Sequence, residues 1–294
     1  MFLTEELTDA IQHILEQQEK ITKPVLPVSS VSGGSINSCY KLKAGERSFF
    51  LKVNSSLKYP RMFLAEAEGL RQLRKTQTIA VPDVVGVGFA GQEQFLILNW
   101  IEEGNNSMES QQQLGFQLAD LHKNKGKQFG LDHDNYMGSL TQTNKFHTSW
   151  TEFFISQRLE PQLKIGVEKG LINNQIVKKF YLLFKKLNNL YPAEEPSLVH
   201  GDLWSGNYLI SLAGKPVVID PAVAYAHREA DIAMTRLFGG FSPAFYAAYN
   251  ENNPLEKNWE ERISLWNLYP LLVHVNLFGG GYIAQVKSCL QHYL

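Results

Sequence analysis

Hydrophobic and polar positions along the first hundred residues alternate between two spacings. Apolar residues at helical spacing predict helices over residues 5–18 and 62–74. Short runs that are rich in β-branched and aromatic residues predict strands around these helices. The predicted strands cover residues 25–31, 39–42, 48–53, 84–89 and 94–100. This part of the chain is therefore expected to form a small sheet with one or two helices.

The remaining residues show mostly helical spacing. Helices are predicted over 109–123, 149–164, 171–190, 229–238 and 256–278, with short strands at 208–210 and 217–219. We therefore predict an α+β fold with two lobes, a small β-rich N-terminal lobe over residues 1–102 and a larger, mainly helical lobe over 103–294. A hinge near residue 103 would leave a cleft between them, and clefts of this kind bind small ligands.

Composition restricts the function. The formal net charge of -1 and the pI near 6.7 disfavour a nucleic-acid or anionic-membrane surface. The acidic N-terminal stretch is not typical of a signal peptide, and no apolar run is long enough to span a membrane. The two distant cysteines do not form a disulfide framework, so a cytoplasmic location is expected.

The segment LVHGDLWSGNYLI, residues 198–210, contains the strongest candidate chemistry. Asp202 is followed by Asn207 and later by Asp220, and each lies beside an apolar run. Buried carboxylates are unfavourable unless they are paired or bound to a metal. Phosphoryl transfer uses such a set, with Asp202 as catalytic base and with Asn207 and Asp220 as Mg²⁺ ligands on ATP. The alternative is a polar turn.

Lys52 lies in the strand SFFLKV, and Glu66 follows fourteen residues later in the predicted helix 62–74. Kinases use such a lysine on the ATP phosphates and a helix glutamate to hold it. Glu68 is the competing partner, but Glu66 lies beside the apolar face of the helix. A solvated strand lysine is the alternative interpretation.

The nucleotide requires further groups. Gly33, Gly34 and Ser35 could cradle phosphates through backbone N–H groups, although a glycine-rich hairpin turn is the commoner explanation. Adenine could pair with backbone groups of Asn99 and Ile101, which otherwise end an ordinary buried strand.

Three further residues each allow two interpretations. Trp204 lies in a loop and either forms part of the acceptor site or anchors the loop in the core. His274 is either a substrate contact or a satisfied core histidine. Asp231 suits the first turn of a helix, or it accepts hydrogen bonds from the backbone of the catalytic loop.

Together these residues resemble the fructosamine-3-kinase (ketosamine-3-kinase) family of the protein-kinase-like fold. The resemblance covers nearly the whole chain, and its most specific parts are HGDLWSGN and IDPAVAYAHREAD. It implies ATP-dependent phosphorylation of the sugar 3-hydroxyl on glycated amines, which are small molecules or glycated lysines on proteins. In that family the product decomposes and frees the amine, so the activity is regarded as protein repair.

Residue roles follow from the resemblance. It implies that Asp202 is the base, that Asn207 and Asp220 bind Mg²⁺, and that Trp204 lines the sugar site. Ser35 stands where many relatives have a cysteine, and Asn99 stands where a glutamate is common. Regulation by a phosphorylated activation loop is not expected, since Gly201 replaces the arginine that reads such a loop in protein kinases.

Three alternatives stay open at this point. The same chemistry could act on an amino alcohol, an aminoglycoside or a free sugar. A kinase fold could also serve as a non-catalytic nucleotide sensor, although no expected catalytic position is missing. A metal-dependent hydrolase is disfavoured because the usual His and Asp cluster is not evident. We expect a monomer or a weak dimer.

Overall fold

The computed structural model describes residues 3–32 and 36–294 and divides the chain into two compact units. The first unit comprises Met1–Asn105 and Leu209–Asp220, and the second comprises Asn106–Tyr208 and Pro221–Leu294. The expected division at residue 102 thus differs from the observed one, because the chain returns to the first unit. Backbone hydrogen bonds explain the return: Gly104 N–H donates to Ile210 O (2.7 Å) and Val218 N–H donates to Ala80 O (2.9 Å).

The first unit is built on a five-stranded antiparallel sheet with the order β1-β2-β3-β5-β4. Its strands are β1 Val25–Ser30, β2 Ser38–Ala44, β3 Arg47–Ser55, β4 Val84–Ala90 and β5 Glu93–Asn99. Its helices are α1 Glu5–Glu19 and α2 Met62–Lys75. Thr4 caps α1, whose Leu7, Ile11 and Leu15 are buried in one core with residues of β2, β3 and β5. Each such buried side chain contributes about 1.5–3 kcal/mol.

The second unit is mainly helical. Its helices are α3 Met108–Leu121, α4 Trp150–Phe153, α5 Glu160–Glu168, α6 Asn174–Phe184, α7 Glu229–Leu237, α8 Pro243–Asn252, α9 Trp259–Trp266, α10 Leu268–Phe278 and α11 Ile283–Tyr293. Short strand pairs join β6 Asn135–Met137 to β7 Leu140–Gln142, and β8 Ser197–Val199 to β11 Ala224–Ala226. The remaining pair, β9 Tyr208–Ile210 with β10 Pro216–Val218, carries the chain into the first unit.

The helix predictions were wrong in detail at three places. Of the expected helix 171–190, only Asn174–Phe184 is α-helical, and a 3-10 turn follows at Leu187–Asn189. The expected helix 149–164 contains a π-helical segment, Phe154–Leu159, between α4 and α5. The expected helix 256–278 is two helices separated at Asn267, whose side chain donates to Ala233 O (2.9 Å). Hydrophobic spacing did not predict the helices α8 and α11. It also did not predict the strands β6, β7, β8 and β11, because these strands are short.

No helix within the described parts of the chain combines the length and apolar character that crossing a membrane requires.

Candidate functional site

Lys52, Glu66 and Asp220, here termed the Lys52 group, come together in the first unit. Lys52 is buried in β3, where it pairs with Cys39 of β2 and Leu96 of β5. Its Nζ lies 2.7 Å from Glu66 Oε1 and 2.6 Å from Asp220 Oδ1. The pairing with Glu66 rather than Glu68 agrees with the apolar face of α2.

The charges in this group are unequal in number. Burial by itself lowers the pKa of Lys52, but the carboxylates of Asp220 and Glu66 outweigh it and raise that pKa. Burial raises the pKa of Glu66, Lys52 opposes this, and the charge of Asp220 adds to it. One ammonium thus faces two carboxylates, and the Asp220 side chain is 42% exposed. The excess negative charge and the open carboxylate suit a hard divalent cation.

Asp220 also has an unusual backbone. It follows β10 and adopts φ +54, a left-handed conformation that few residues other than glycine adopt. Such conformations cluster at functional sites, where the surrounding structure maintains them. The left-handed backbone of Asp220 therefore agrees with a functional role for its carboxylate.

At the end of β5, the side chain of Asn99 already has two partners. Its Oδ1 accepts from Arg47 (3.0 Å) and its Nδ2 donates to Asp83 (3.1 Å), while its N–H donates to Asp83 O. The N–H of Ile101 forms no hydrogen bond within the described ranges. Ile101 N–H therefore remains available to a nucleotide base, whereas Asn99 could contribute only its carbonyl. Gly33, Gly34 and Ser35 lie outside the described residues.

Residues 200–207 of the second unit, here termed the Asp202 loop, bring Asp202 and Asn207 together. Asn207 Nδ2 donates to both the backbone oxygen (2.8 Å) and Oδ2 (3.0 Å) of Asp202. Because the amide nitrogen is used in this way, Asn207 Oδ1 is the atom that could bind a cation. Amide and carboxylate oxygens are donors that Mg²⁺ accepts.

Two glycines of the loop lie close to neighbouring atoms, and Gly201 is required because its neighbour is backbone. Gly201 has φ +84, and a Cβ there would lie 2.0 Å from Ala222 O. A Cβ on Gly206 would lie 2.2 Å from the ring of Trp204. The HGDLWSGN motif therefore encodes the shape of the loop as well as its reactive groups.

Asp231 of α7 holds the loop from behind. Its carboxylate accepts the N–H of His200 (2.7 Å) and of Gly201 (2.8 Å), which is the functional alternative predicted for it. Burial raises the pKa of Asp231, but hydrogen bonding and attraction to His122 outweigh it, so the pKa lies below its usual value. Asp231 is therefore ionised. It can only accept, so His122 Nε2 carries the proton and Nδ1 accepts from Tyr249 OH (2.7 Å).

Trp204 and His274 are connected through a residue that the sequence did not indicate. The ring of Phe238 lies 6.0 Å from that of Trp204 and 4.9 Å from that of His274. Phe238 follows the last residue of α7. The feature of the sequence that could have drawn attention to Phe238 is the pair of glycines directly after it. These three rings form a partly exposed aromatic surface, since Trp204 is 37% and Phe238 40% exposed.

His274 has a defined proton position. Its Nδ1 lies 2.7 Å from Pro270 O, which can only accept, so Nδ1 carries the hydrogen and Nε2 has a lone pair. Burial lowers the pKa of His274, which favours this neutral form. The ring can therefore accept a hydrogen bond from a hydroxyl group.

Comparison with known proteins identifies relatives across the whole chain. The family model described as fructosamine kinase matches residues 7–294. A "probable ketoamine kinase" of Enterococcus faecium is 41% identical over 277 residues, which are 93% of this chain and 96% of the relative. A chloroplastic protein-ribulosamine 3-kinase of Arabidopsis thaliana is 38% identical over 97% of this chain and 88% of its own.

A solved structure extends the likeness to the fold. The crystal structure of a candidate fructosamine-3-kinase from Haemophilus somnus 129PT matches with a TM-score of 0.89 at 32% identity. The match covers 97% of both chains. The expected α+β, protein-kinase-like fold is confirmed, and this chain belongs to the fructosamine kinase family.

Proposed function

We propose that this protein is an ATP-dependent kinase that phosphorylates the 3-hydroxyl of ketosamines, the glycated amines formed on small molecules or on protein lysines. The observation that carries the proposal is the Asp202–Asn207 pair in a loop held by Asp231. Membership of a family whose relatives are named ketoamine kinase and protein-ribulosamine 3-kinase supports the choice of acceptor.

In this proposal Asp202 accepts the proton of the acceptor hydroxyl and orients its oxygen toward the γ-phosphate of ATP. The hydrogen bond from Asn207 Nδ2 restricts the orientation of the Asp202 carboxylate. Lys52 offsets negative charge on the phosphates, and Glu66 keeps its ammonium in place. Ile101 N–H is the group offered to adenine.

The donor set fits Mg²⁺, with one oxygen each from Asn207 and Asp220. Within the described ranges, no three His, Cys, Asp or Glu side chains gather as a separate metal site. Two protein oxygens suffice for Mg²⁺, because it retains water and takes oxygens from the ATP phosphates. When bound, the ion would neutralise charge on the phosphates.

The acceptor would contact the aromatic surface next to the Asp202 loop. Trp204 offers a face for the sugar ring, and the lone pair of His274 Nε2 can accept a hydrogen bond from a sugar hydroxyl. The neutral state of His274 also avoids repulsion with a protonated amine nitrogen.

A direct test measures phosphate transfer from radiolabelled ATP to ribulosamine, fructosamine, choline, kanamycin and free fructose under one set of conditions. We expect transfer to ketosamines with a kcat/KM at least tenfold above the others. Preferred transfer to choline or kanamycin would overturn the acceptor assignment and leave the kinase chemistry intact. If the protein binds ATP but phosphorylates none of these compounds, the result would favour a nucleotide sensor.

A further inference from the structure

A buried polar network in the second unit surrounds the segment that follows Asp220. Asn135 of β6 donates through Nδ2 to Val223 O (2.8 Å), and Gln142 of β7 donates through Nε2 to Ala222 O (3.3 Å). Both side chains are buried, with 3% exposure each. The β6–β7 hairpin thus binds two consecutive carbonyls that lie two and three residues after Asp220.

The same segment contacts the Asp202 loop. Ala222 N–H donates to His200 O (2.9 Å), and Ala222 O lies where a side chain on Gly201 would be. A displacement of residues 221–223 would therefore affect both the backbone behind Asp202 and the peptide that leaves Asp220.

Arg158 determines the direction of the network. It lies in the π-helical segment Phe154–Leu159 and is 5% exposed. Its Nη2 donates to Asn144 Oδ1 (2.6 Å) and its Nη1 donates to Thr143 O (2.6 Å). Because a guanidinium can only donate, the amide of Asn144 must present its oxygen to Arg158.

The remaining bonds follow in sequence. Asn144 Nδ2 donates to Asn135 Oδ1 (3.0 Å), so Asn135 must present its nitrogen to Val223 O. Ala222 O and Asn135 Oδ1 can only accept, so Gln142 presents its nitrogen to them and its Oε1 accepts from Tyr269 OH (2.7 Å). Burial raises the pKa of Tyr269 to about 12, so its proton stays in place. Every amide in the network therefore has one orientation.

The charge of Arg158 is not explained by an ion pair. Within the described ranges no carboxylate forms a salt bridge with it, and it packs instead against the rings of Phe153 (4.5 Å) and Tyr269 (5.5 Å). Burial lowers the pKa of Arg158 to about 10, and the negative charge of Asp134 opposes this from beyond salt-bridge distance. A buried cation in such a position is unfavourable unless its donors are hydrogen-bonded, and Arg158 uses them on Thr143 and Asn144. π-helical turns are frequent at functional sites.

We propose that Arg158, Asn144, Asn135 and Gln142 are positioning residues that fix residues 221–223 and thereby the Asp220 carboxylate for Mg²⁺. The inference rests on the proposed function, in which Asp220 is a metal ligand. None of the four touches the reacting atoms in this scheme. They act through the backbone, as residues behind metal ligands commonly do.

The test is the Mg²⁺ dependence of ATP binding, measured by calorimetry without any acceptor. Asn135→Ala should shift the half-saturating Mg²⁺ concentration upward by about 10- to 100-fold, the usual loss for a group behind a metal ligand. Asp220→Ala removes the proposed metal ligand itself, so its shift in the half-saturating Mg²⁺ concentration is the upper limit for the other variants. Unchanged Mg²⁺ dependence in folded Asn135→Ala would overturn the inference.

Asn267→Ala is the matched control. Asn267 is 4% exposed and its Nδ2 donates to one backbone carbonyl at 2.9 Å, but that carbonyl belongs to Ala233. We expect a lower Tm with the Mg²⁺ dependence of the wild type. If Asn267→Ala shifts the Mg²⁺ dependence as far as Asn135→Ala does, the effect is one of general stability and the inference fails.

Milder variants keep the test decisive if Asn135→Ala does not fold. Tyr269→Phe removes one hydrogen bond and should shift the half-saturating Mg²⁺ about threefold. Arg158→Lys keeps a hydrogen-bond donor, so this variant should bind Mg²⁺-ATP more tightly than Arg158→Met. Equal affinities of the two variants for Mg²⁺-ATP would contradict the positioning role of Arg158. If Asp220→Ala itself has no effect, the proposed metal role fails as well, whereas missing ketosamine turnover alone leaves the inference standing.

Discussion

The Lys52 group and the Asp202 loop stabilise charge in two different ways. In the Lys52 group opposite charges contact one another directly, with one buried ammonium between two carboxylates. In the Asp202 loop the base, Asp202, is half-buried, and the buried carboxylate, Asp231, is satisfied by two backbone N–H groups and His122. Folding of the Lys52 group therefore depends on ion pairing. In the Asp202 loop the reactive carboxylate, Asp202, is a different residue from Asp231, the carboxylate that holds the loop backbone.

This difference predicts where function and stability can be separated by mutation. Removing one member of a buried ion pair leaves the other charge without its partner, whereas Asp202 is only half-buried and its truncation is expected to reduce stability less. Substitutions in the Lys52 group should therefore change stability and nucleotide binding together. Substitution of Asp202 should change the rate far more than the stability.

The largest expected effect is on the rate. Asp202→Ala should lower kcat by roughly 10²–10⁴-fold, the usual range for a general base, because no other group would take the proton of the hydroxyl. ATP affinity by calorimetry and Tm should stay close to wild type. Wild-type turnover would remove Asp202 from the mechanism, and a large loss of Tm would show that the loop depends on its charge for folding.

In the Lys52 group, Lys52→Met should lower the free energy of unfolding by about 3–5 kcal/mol, because Glu66 loses its cation inside the protein. Urea denaturation measures this loss. The double variant Lys52→Met/Glu66→Leu should recover most of the stability and none of the ATP affinity. Recovery of ATP binding in the double variant would contradict a phosphate role for Lys52.

The smallest expected effect concerns pH. His227 is buried, its Nε2–H donates to Pro192 O and its Nδ1 accepts from Glu229 N–H, and burial lowers its pKa. Below about pH 6.5 the unfolded chain therefore binds a proton that the folded protein does not. The free energy of unfolding should fall as the pH falls from 7.5 to 5.5.

His227→Phe isolates this contribution. Urea denaturation across the same pH range should give a slope that is smaller by up to about 1.4 kcal/mol per pH unit. His122 and His274, whose pKa values are also lowered, and Glu66, whose raised pKa acts in the opposite sense, are common to both proteins. Equal slopes would mean that His227 can be protonated in the folded state.

Sequence reasoning was most successful where a residue had a periodic neighbourhood. The apolar face of α2 selects Glu66, and Lys52 then meets it across fourteen residues of chain. The Asp202 loop could be predicted because HGDLWSGN combines reactive groups with Gly201, which has no room for a side chain. In both cases a local constraint identifies the residue.

Contacts between residues that are distant in the sequence could not be predicted from a local pattern. Asn135 and Gln142 are single polar residues in three-residue strands, and only the fold brings them to the carbonyls of Val223 and Ala222. Phe238 joins Trp204 to His274 across separate segments of the chain. The return of residues 209–220 to the first unit depends on backbone pairing, which side-chain patterns do not encode.

The π-helical segment Phe154–Leu159 has a consequence for how this chain can change in evolution. A π-helical turn contains one more residue than an α-helical turn, so the segment amounts to a one-residue insertion within a continuous helical stretch. Deleting one residue before Arg158 would restore regular α-helix and rotate the guanidinium by about 100° around the helix axis, away from Asn144. The contact between Arg158 and Asn144 therefore depends on the number of residues in this turn as well as on their identity.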